Sequence, residues 1–232
     1  MTEVNAFEPS DTARLTCRLL LEIDAVLFRP EEPFIFTSGR ASPVYVDCRR
    51  IIAFPRTRRL LMQLGEDLIF QDIGAEAFDV IAGGETAGIP FAAWMAELMG
   101  LPMTYIRKKP KGFGRNAQIE GYFEPGDRFL LVEDLATDGG SKLNFVQAIR
   151  AAEGEVEHAF VIFHYGIFPA SMARLTNEGV KLHALATWWD ALVVAGEEGY
   201  LDPEGMKTVR AFLEDPDGWS AEHGGKTSAE IG

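Results

Sequence analysis

The sequence has few of the residues from which disulfide frameworks and metal sites are built. Its 232 residues include two cysteines, Cys17 and Cys48, and four histidines that are scattered along the sequence. Neither set shows the spacing of metal ligands, and a single pair of cysteines cannot build a disulfide framework. We therefore expect both cysteines to be reduced and structural, as is usual in the cytoplasm.

Long apolar runs and an excess of basic charge are also missing. No stretch reaches the length of a membrane span, and no signal-peptide core stands near the N-terminus. The formal net charge of −13 argues against nucleic acid or an anionic membrane as the main partner. The Walker spacing of an ordinary P-loop nucleotidase is absent. These features predict a soluble cytoplasmic protein in which any anionic ligand meets a local basic cluster.

Strand and helix patterns alternate along the chain, which predicts an α/β fold. Helical periodicity covers residues 11–28, 55–72, 89–99 and 142–152, and apolar strands are predicted at 80–82, 103–106, 129–132, 158–164 and 182–185. This alternation implies right-handed βαβ units and a mainly parallel central sheet flanked by helices. Residues 34–37 and 44–47 are predicted to pair as a hairpin across a turn rich in glycine and proline.

The most specific pattern is the run from Phe129 to Ser141, in which a buried strand ends on two carboxylates and a glycine-rich turn follows. Residues 129–132 are apolar, which predicts a strand buried on both faces, and Glu133 and Asp134 stand at its carboxyl end. Ligands bind at that edge of open α/β sheets. Two adjacent glycines permit close backbone approach, and the start of the next helix can hold a phosphate. The carboxylates suit a ligand that also bears vicinal hydroxyls.

This run resembles the phosphoribosyl pyrophosphate (PRPP) binding motif of the type I phosphoribosyltransferases, with no position missing. The resemblance implies that PRPP is bound by Glu133, Asp134, Leu135, Ala136, Thr137, Asp138, Gly139, Gly140 and Ser141. In that family the two acids hold the ribose hydroxyls, and the last five residues grip the 5-phosphate. Asp134 also counts among the implied catalytic residues. A strand, turn and helix of any α/β protein is the alternative interpretation.

A basic loop follows the predicted strand at 103–106 and packs five basic residues into the nine positions from Arg107 to Arg115. A solvated basic turn is one interpretation, and a mobile flap that closes over pyrophosphate is the other. The loop resembles the flexible catalytic loop of orotate phosphoribosyltransferases, which contacts PRPP across a dimer interface. By that resemblance Arg107, Lys108 and Lys111 bind PRPP, and the two lysines are catalytic. It also implies a homodimer with the loop shared between subunits. Phe113 stands where the family commonly has a histidine.

The glycine-dense turn that begins at Gly83 joins a predicted strand to a predicted helix. A tight connection explains it about as well as a binding role does. In the phosphoribosyltransferases the matching turn is the pyrophosphate loop, whose backbone amides face the leaving group. The resemblance implies that this loop consists of Gly84, Glu85, Thr86, Ala87 and Gly88.

A third segment, residues 37–49, resembles the Ser-Gly-Arg, Ser-Pro, Tyr-x-Asp hairpin of orotate phosphoribosyltransferases. In that family the hairpin belongs to a small hood over the pyrimidine. The alternative interpretation is an ordinary surface hairpin without a binding role. Tyr45 of this hairpin, together with Thr137 and His164, is the set of residues that we expect to bind orotate.

The base-binding residues carry one departure from the family. Orotate enzymes often place an arginine after the strand that follows the PRPP helix, and residues 162–168 contain none. Arg49, Arg50 and backbone amides are further candidates for holding the orotate carboxylate.

For the whole chain, the resemblances imply a type I phosphoribosyltransferase fold, with a hood formed by N-terminal and C-terminal segments. Residues 1–218 would form a single domain, with the hood from about 10–50 plus part of the C-terminal region and the core at about 55–190. Residues 219–232 are predicted to be a flexible tail. The segment 190–218 receives no role.

The implied activity is transfer of ribose 5-phosphate from PRPP to orotate, which gives orotidine 5′-monophosphate and pyrophosphate in pyrimidine (UMP) biosynthesis. Mg²⁺ is the implied cofactor and arrives with PRPP, with Asp134 as the one candidate side chain near it. Catalysis would be mainly electrostatic, because the transition state of this family is oxocarbenium-like. Two alternatives stay open, a phosphoribosyltransferase for another base and a PRPP-sensing regulatory protein without catalytic activity.

Overall fold

The structure is a computed structural model that describes residues 7–112, 118–137 and 140–231. The chain divides into two compact units. The terminal unit consists of the residues up to Ile51 and from Ala186 onward, and the central unit is Ile52–Leu185.

The elements of both units follow one another in chain order. They are α1 (Asp11–Glu22), β1 (Val26–Phe28), β2 (Phe34–Ile35), β3 (Ala41–Ser42), β4 (Val44–Val46), a 3₁₀ helix (Cys48–Ala53), α2 (Pro55–Asp72), β5 (Val80–Gly84), α3 (Gly88–Met99), β6 (Met103–Ile106), β7 (Ile119–Glu120), β8 (Arg128–Ala136), α4 (Gly140–Ala151), β9 (Glu155–His164), α5 (Pro169–Asn177), β10 (Lys181–Thr187), α6 (Trp188–Glu197), α7 (Pro203–Glu214), α8 (Pro216–Glu222) and α9 (Ser228–Ile231).

Strands β5 to β10 form one sheet, in the order β10-β9-β8-β5-β6-β7. β8 pairs in parallel with β5 on one side and β9 on the other, and β6 pairs in parallel with β5. β7 is antiparallel to β6. The predicted α/β fold with a mainly parallel sheet is therefore confirmed.

Helices cover both faces of this sheet because its central strands are apolar on both sides. On one face, Phe145 and Val146 of α4 belong to a buried cluster with Phe129 and Leu131 of β8. On the other face α2 approaches closely, since a Cβ on Gly65 would lie 2.6 Å from the ring of Phe160. Strands alternate their side chains between faces, so a helix on each face buries both sets.

β8 is longer than its predicted apolar core at 129–132. It continues through Glu133 and Asp134 to Ala136 and stays in register with β9 to the last pair, Ala136 with His164. The extension has a physical reason, because the neighbouring ten-residue strand β9 supplies hydrogen bonds that the apolar pattern of β8 alone does not reveal. Both carboxylates therefore belong to a strand and not to the loop that follows it.

The N-terminal helix is shorter than the predicted span 11–28. α1 begins after Ser10, whose hydroxyl accepts a hydrogen bond from the Ala13 N–H at 3.1 Å, and it ends at Glu22. Asp24 then adopts a positive φ of 52°. That turn lets residues 26–28 form β1, so the end of the predicted helix is wrong.

The predicted pairing of residues 34–37 with 44–47 is also wrong. β2 pairs with β3, which lies inside the expected turn, and β4 pairs with β1. Alternating apolar residues identified the strands, but strand partners depend on tertiary contacts that a single sequence does not encode locally.

Two of the histidines form a chain with Asp72 in the central unit. His158 Nδ1 lies 3.1 Å from His183 Nε2, and His183 Nδ1 lies 2.9 Å from the Asp72 carboxylate. Burial lowers the pKa of both histidines, and the cation of Lys181 lowers each further. These contacts give both rings a structural role.

Cys17 and Cys48 are both buried, and neither forms a disulfide within the described part of the chain. Across the described ranges no helix combines the length and the apolar content that crossing a bilayer would need.

The C-terminal segment differs from the flexible tail that we expected. The end of α8 and all of α9 lie within residues 219–232, and the side chain of Trp219 is buried, with its ring 5.4 Å from that of Phe212. The expectation came from the glycine and lysine content near the chain end, which does not register contacts made with residues far away in sequence.

Those contacts reach the turn between β2 and β3. Arg40 Nη1 lies 2.7 Å from the Asp217 carboxylate, and its Nη2 donates to the Ser228 hydroxyl at 2.7 Å. A backbone hydrogen bond links the same two segments, since the Lys226 N–H donates to the Gly39 carbonyl at 2.9 Å. The Arg40 side chain is buried, whereas that of Asp217 is 44% exposed, so water reaches one side of this ion pair. The guanidinium of the Ser-Gly-Arg motif thus holds the C-terminal segment.

Replacing Gly225 is expected to loosen this segment. A Cβ there would lie 2.2 Å from the Ala41 backbone nitrogen, so Gly225→Ala must displace backbone. We expect the free energy of unfolding to fall by about 1–3 kcal/mol, and trypsin to cleave at Lys226 faster than in the unmodified protein. Glu222→Ala, at an exposed position of α8, is the control. Equal cleavage rates in both variants would contradict the packing described.

Candidate functional site

The predicted site residues of the central unit gather at one edge of the sheet. Gly84 ends β5, Arg107 follows β6, Asp134 lies near the end of β8, and His164 ends β9. These strands run parallel, so their carboxyl ends share an edge. That edge is where ligands bind in open α/β sheets, because loops and helix N-termini converge there.

The acidic pair is almost fully enclosed. Glu133 and Asp134 are each 8% exposed, and neighbouring residues of a strand direct their side chains to opposite faces. Glu133 faces the turn between β5 and α3. A Cβ on Gly84 would lie 1.9 Å from Glu133 Oε1, and one on Gly88 would lie 2.4 Å from it. Glycine at these two positions therefore makes room for the carboxylate, which a tight connection alone would not require.

The environment of Glu133 disfavours its charged form. Burial is the largest cause and raises the pKa of Glu133 to about 8, with the charge of Asp134 adding to the rise. Lys142, Lys108 and the donated Gly84 N–H oppose it. Among the described residues Oε1 has no hydrogen-bond partner. Such a carboxyl group is suited to accept hydrogen bonds from an incoming diol.

Lys142 lies beside the predicted site residues, although the sequence analysis did not name it. It is 3% exposed, and its ammonium donates to the Leu135 carbonyl at 2.6 Å. Its charge also lowers the pKa of His164, so it lies near both strand ends. The helix prediction for residues 142–152 depends on its apolar positions and says nothing about Lys142. A lysine directly after the phosphate-binding pattern was the signal that could have identified it.

The described part of the basic loop, residues 107–112, is anchored at its start and exposed from Lys108 onward. The Arg107 N–H donates to the Gln118 carbonyl at 2.8 Å, and the Lys108 N–H donates to Glu85 Oε2 at 2.8 Å. The side chains of Lys108 and Lys111 are exposed. Glu85 thus ties the pyrophosphate-loop segment to the basic loop. The expectations for Phe113 and Arg115 lie outside the described residues.

The three residues predicted to bind orotate divide between the units. Thr137 directly follows β8, and His164 is the last residue of the adjacent strand β9, so both belong to the central unit. Tyr45 belongs to the terminal unit. Burial lowers the pKa of His164, which favours a neutral imidazole, and its Nε2 has no hydrogen-bond partner within the described ranges. The ring of Tyr45 packs 5.5 Å from that of Phe34.

The alternative anchors for the orotate carboxylate already make contacts of their own. Arg49 Nε lies 2.7 Å from the Asp47 carboxylate, and Arg50 Nε donates to the Ile23 carbonyl at 2.8 Å.

In the phosphate cradle, Gly140 and Ser141 begin α4. The expectations for Asp138 and Gly139 concern residues outside the described ranges.

Comparison with known proteins identifies the family. The chain is 57% identical over 215 residues to the orotate phosphoribosyltransferase of Cereibacter sphaeroides strain KD131, which covers 92% of this chain and 93% of that protein. It is 56% identical over 220 residues to the enzyme of the same name from Dinoroseobacter shibae, covering 94% and 97%. The chain belongs to the orotate phosphoribosyltransferase family. No protein-family model matches it.

A solved structure agrees with this assignment. Orotate phosphoribosyltransferase from Aeropyrum pernix is 29% identical, with a TM-score of 0.67 over 80% of this chain and 99% of that one. The type I phosphoribosyltransferase fold expected from the sequence is therefore confirmed. This orotate phosphoribosyltransferase is a pentosyltransferase that transfers ribose 5-phosphate from PRPP to orotate, as predicted.

The raised pKa of Glu133 gives a prediction about stability and pH. A carboxyl whose pKa is higher in the folded than in the unfolded state destabilises the fold increasingly as the pH rises from about 4.5 to about 8. Glu133→Gln removes that cost. We expect the free energy of unfolding of this variant to exceed that of the unmodified protein by at least about 1 kcal/mol at pH 8.5.

Urea denaturation at pH 8.5 and pH 5 measures the difference, which should shrink at the lower pH. Glu222→Gln, at an exposed position, is the control and should show no such pH-dependent gain. A Glu133→Gln variant that is no more stable than the unmodified protein at pH 8.5 would contradict the burial cost assigned to this carboxylate.

Proposed function

We propose that PRPP binds along the carboxyl edge of β5 and β8, with each of its parts met by a separate segment. The 5-phosphate would lie against residues 137–141 at the start of α4, where backbone N–H groups can hold it. The ribose hydroxyls would meet Glu133 and Asp134. The orphaned Oε1 of Glu133 supports this assignment most directly, because it is a buried acceptor without a donor among the described residues.

The pyrophosphate would lie against residues 84–88, with the basic loop closing over it. The hydrogen bond from the Lys108 N–H to Glu85 supports this pairing, since it already joins the two segments. We infer that Arg107, Lys108 and Lys111 neutralise the negative charge that grows on the departing pyrophosphate. Exposed side chains at the two lysines allow them to move toward a ligand, and closure would exclude water from the cationic sugar.

Mg²⁺ fits this arrangement as a companion of PRPP. In the described ranges no cluster of three or more His, Cys, Asp or Glu side chains could hold the ion. Asp134, a buried carboxylate beside the proposed ribose site, is the one side chain that we assign near it. The ion would supply charge neutralisation to the pyrophosphate oxygens.

For the base, we propose that orotate binds to Thr137, Tyr45 and His164. A neutral, buried His164 can donate or accept one hydrogen bond at the pyrimidine edge, and its unpartnered Nε2 supports this role. We also propose that the enzyme acts in the cytoplasm, and the two buried cysteines, which form no disulfide within the described residues, are consistent with a reducing compartment.

We further propose a homodimer in which the basic loop of one subunit completes the site of the other. Lys111→Ala and Asp134→Asn each remove one contributor, so each variant alone is expected to lose about 100-fold or more in kcat. If the two residues act on the same site from different subunits, mixing the variants creates hybrid dimers with one intact site. Random exchange should then restore activity to about a quarter of the unmodified level.

Steady-state assays of pyrophosphate release, before and after subunit exchange, measure this recovery. A mixture of Lys111→Ala with Lys207→Ala is the matched control, because Lys207 is an exposed lysine of α7 that has no role in the site. If the mixture of Lys111→Ala and Asp134→Asn regains no activity after exchange, each site is built from one chain and the proposal of a shared loop is contradicted.

A further inference from the structure

Lys142 is a buried cation at the edge of the sheet for which the family resemblance gives no role. It is the third residue of α4, and it is 3% exposed. Burying an ammonium group is costly unless hydrogen bonds and opposite charges compensate for the lost hydration. Its partners therefore indicate what it does.

The first partner is the backbone of β8. Lys142 Nζ donates to the Leu135 carbonyl at 2.6 Å, which joins the first turn of α4 to the penultimate residue of the strand. On the other side, the Tyr165 N–H donates to the Ala136 carbonyl at 2.8 Å. The strand end is thus held from both sides. The lysine therefore joins the end of β8 to the first turn of α4, which flank the proposed 5-phosphate cradle.

The second set of partners is electrostatic. The charge of Lys142 favours the ionised form of Glu133 and disfavours protonation of His164. Asp134, next to Glu133, adds a second buried carboxyl group. A cation at the start of α4 offsets the negative charge of this edge and adds to the positive end of the helix dipole, where an anion binds.

We propose that Lys142 is a positioning residue for the ribose 5-phosphate half of PRPP. It fixes the cradle by tying α4 to β8, and it supplies positive potential to a site whose neighbouring carboxylates would otherwise repel the phosphate. The proposal rests on the assignment of residues 137–141 to the 5-phosphate. It predicts a selective effect, because the pyrophosphate would bind at residues 84–88 and the basic loop.

Two fragments of PRPP can test this selectivity in the full-length protein. Ribose 5-phosphate probes the cradle and the acidic pair, and pyrophosphate with Mg²⁺ probes the other half of the site. Lys142→Met keeps much of the length of the side chain but removes the charge and the donor. By isothermal titration we expect it to weaken ribose 5-phosphate binding by at least about 10-fold and pyrophosphate binding by less than about 2-fold.

Kinetics give a second readout. We expect Lys142→Met to raise KM for PRPP by a similar factor, with a smaller change in KM for orotate and in kcat at saturating PRPP. Lys207→Met, at the exposed lysine of α7, should leave all of these values unchanged. If Lys142→Met does not fold, Lys142→Gln retains a donor for the Leu135 carbonyl without the charge, and the same two-fragment comparison decides.

Three results distinguish a failure of the role proposed for Lys142 from a failure of the proposed PRPP site. Unchanged binding of both fragments would overturn the role of Lys142, and so would an equal loss for both, which would indicate general destabilisation. An unmodified protein that binds neither fragment would contradict the proposed PRPP site itself, whatever Lys142 does.

Discussion

The site depends on one constraint, which is that two adjacent carboxylates are buried at the end of the central strand of a parallel sheet. Glu133 fits there only because residues 84 and 88 lack side chains, since a Cβ at either position would collide with its carboxylate. β5, α3 and β8 are therefore fitted to one another around a single carboxyl group. The glycines of the β5–α3 turn serve the acid on the neighbouring strand as much as any ligand.

Burial of Glu133 has a cost in folding stability that the proposed PRPP site would explain. A carboxyl group whose pKa is raised to about 8 destabilises the folded protein at neutral and higher pH. Lys142 and Lys108 reduce that cost without removing it. Enzymes often keep such destabilising groups at their sites because substrates supply the missing partners. In the proposed PRPP site, the ribose hydroxyls would be the partners that Glu133 Oε1 lacks among the described residues.

Much of the architecture could be predicted from the sequence because it depends on local patterns. The apolar periodicity of residues 55–72 located α2, and the run at 129–132 located the central strand. The PRPP pattern also pointed to the edge where Glu133 and Asp134 lie. Each of these signals is contained within a few consecutive residues.

The remaining features depend on contacts between residues far apart in sequence. The pairing of β4 with β1 and the packing of the C-terminal segment against Gly39 and Arg40 are of this kind. Burial of Lys142 is another, because it depends on where α4 begins relative to β8. Local composition instead suggested a hairpin, a flexible tail and an ordinary helix.

A crystal structure of the protein with PRPP and Mg²⁺ tests the central claim most directly. The account predicts ribose hydroxyls within hydrogen-bond distance of Glu133 and Asp134, the 5-phosphate at the first turn of α4 and the pyrophosphate against residues 84–88. A complex in which the ribose hydroxyls contact neither carboxylate, with both acids still buried as described, would contradict it.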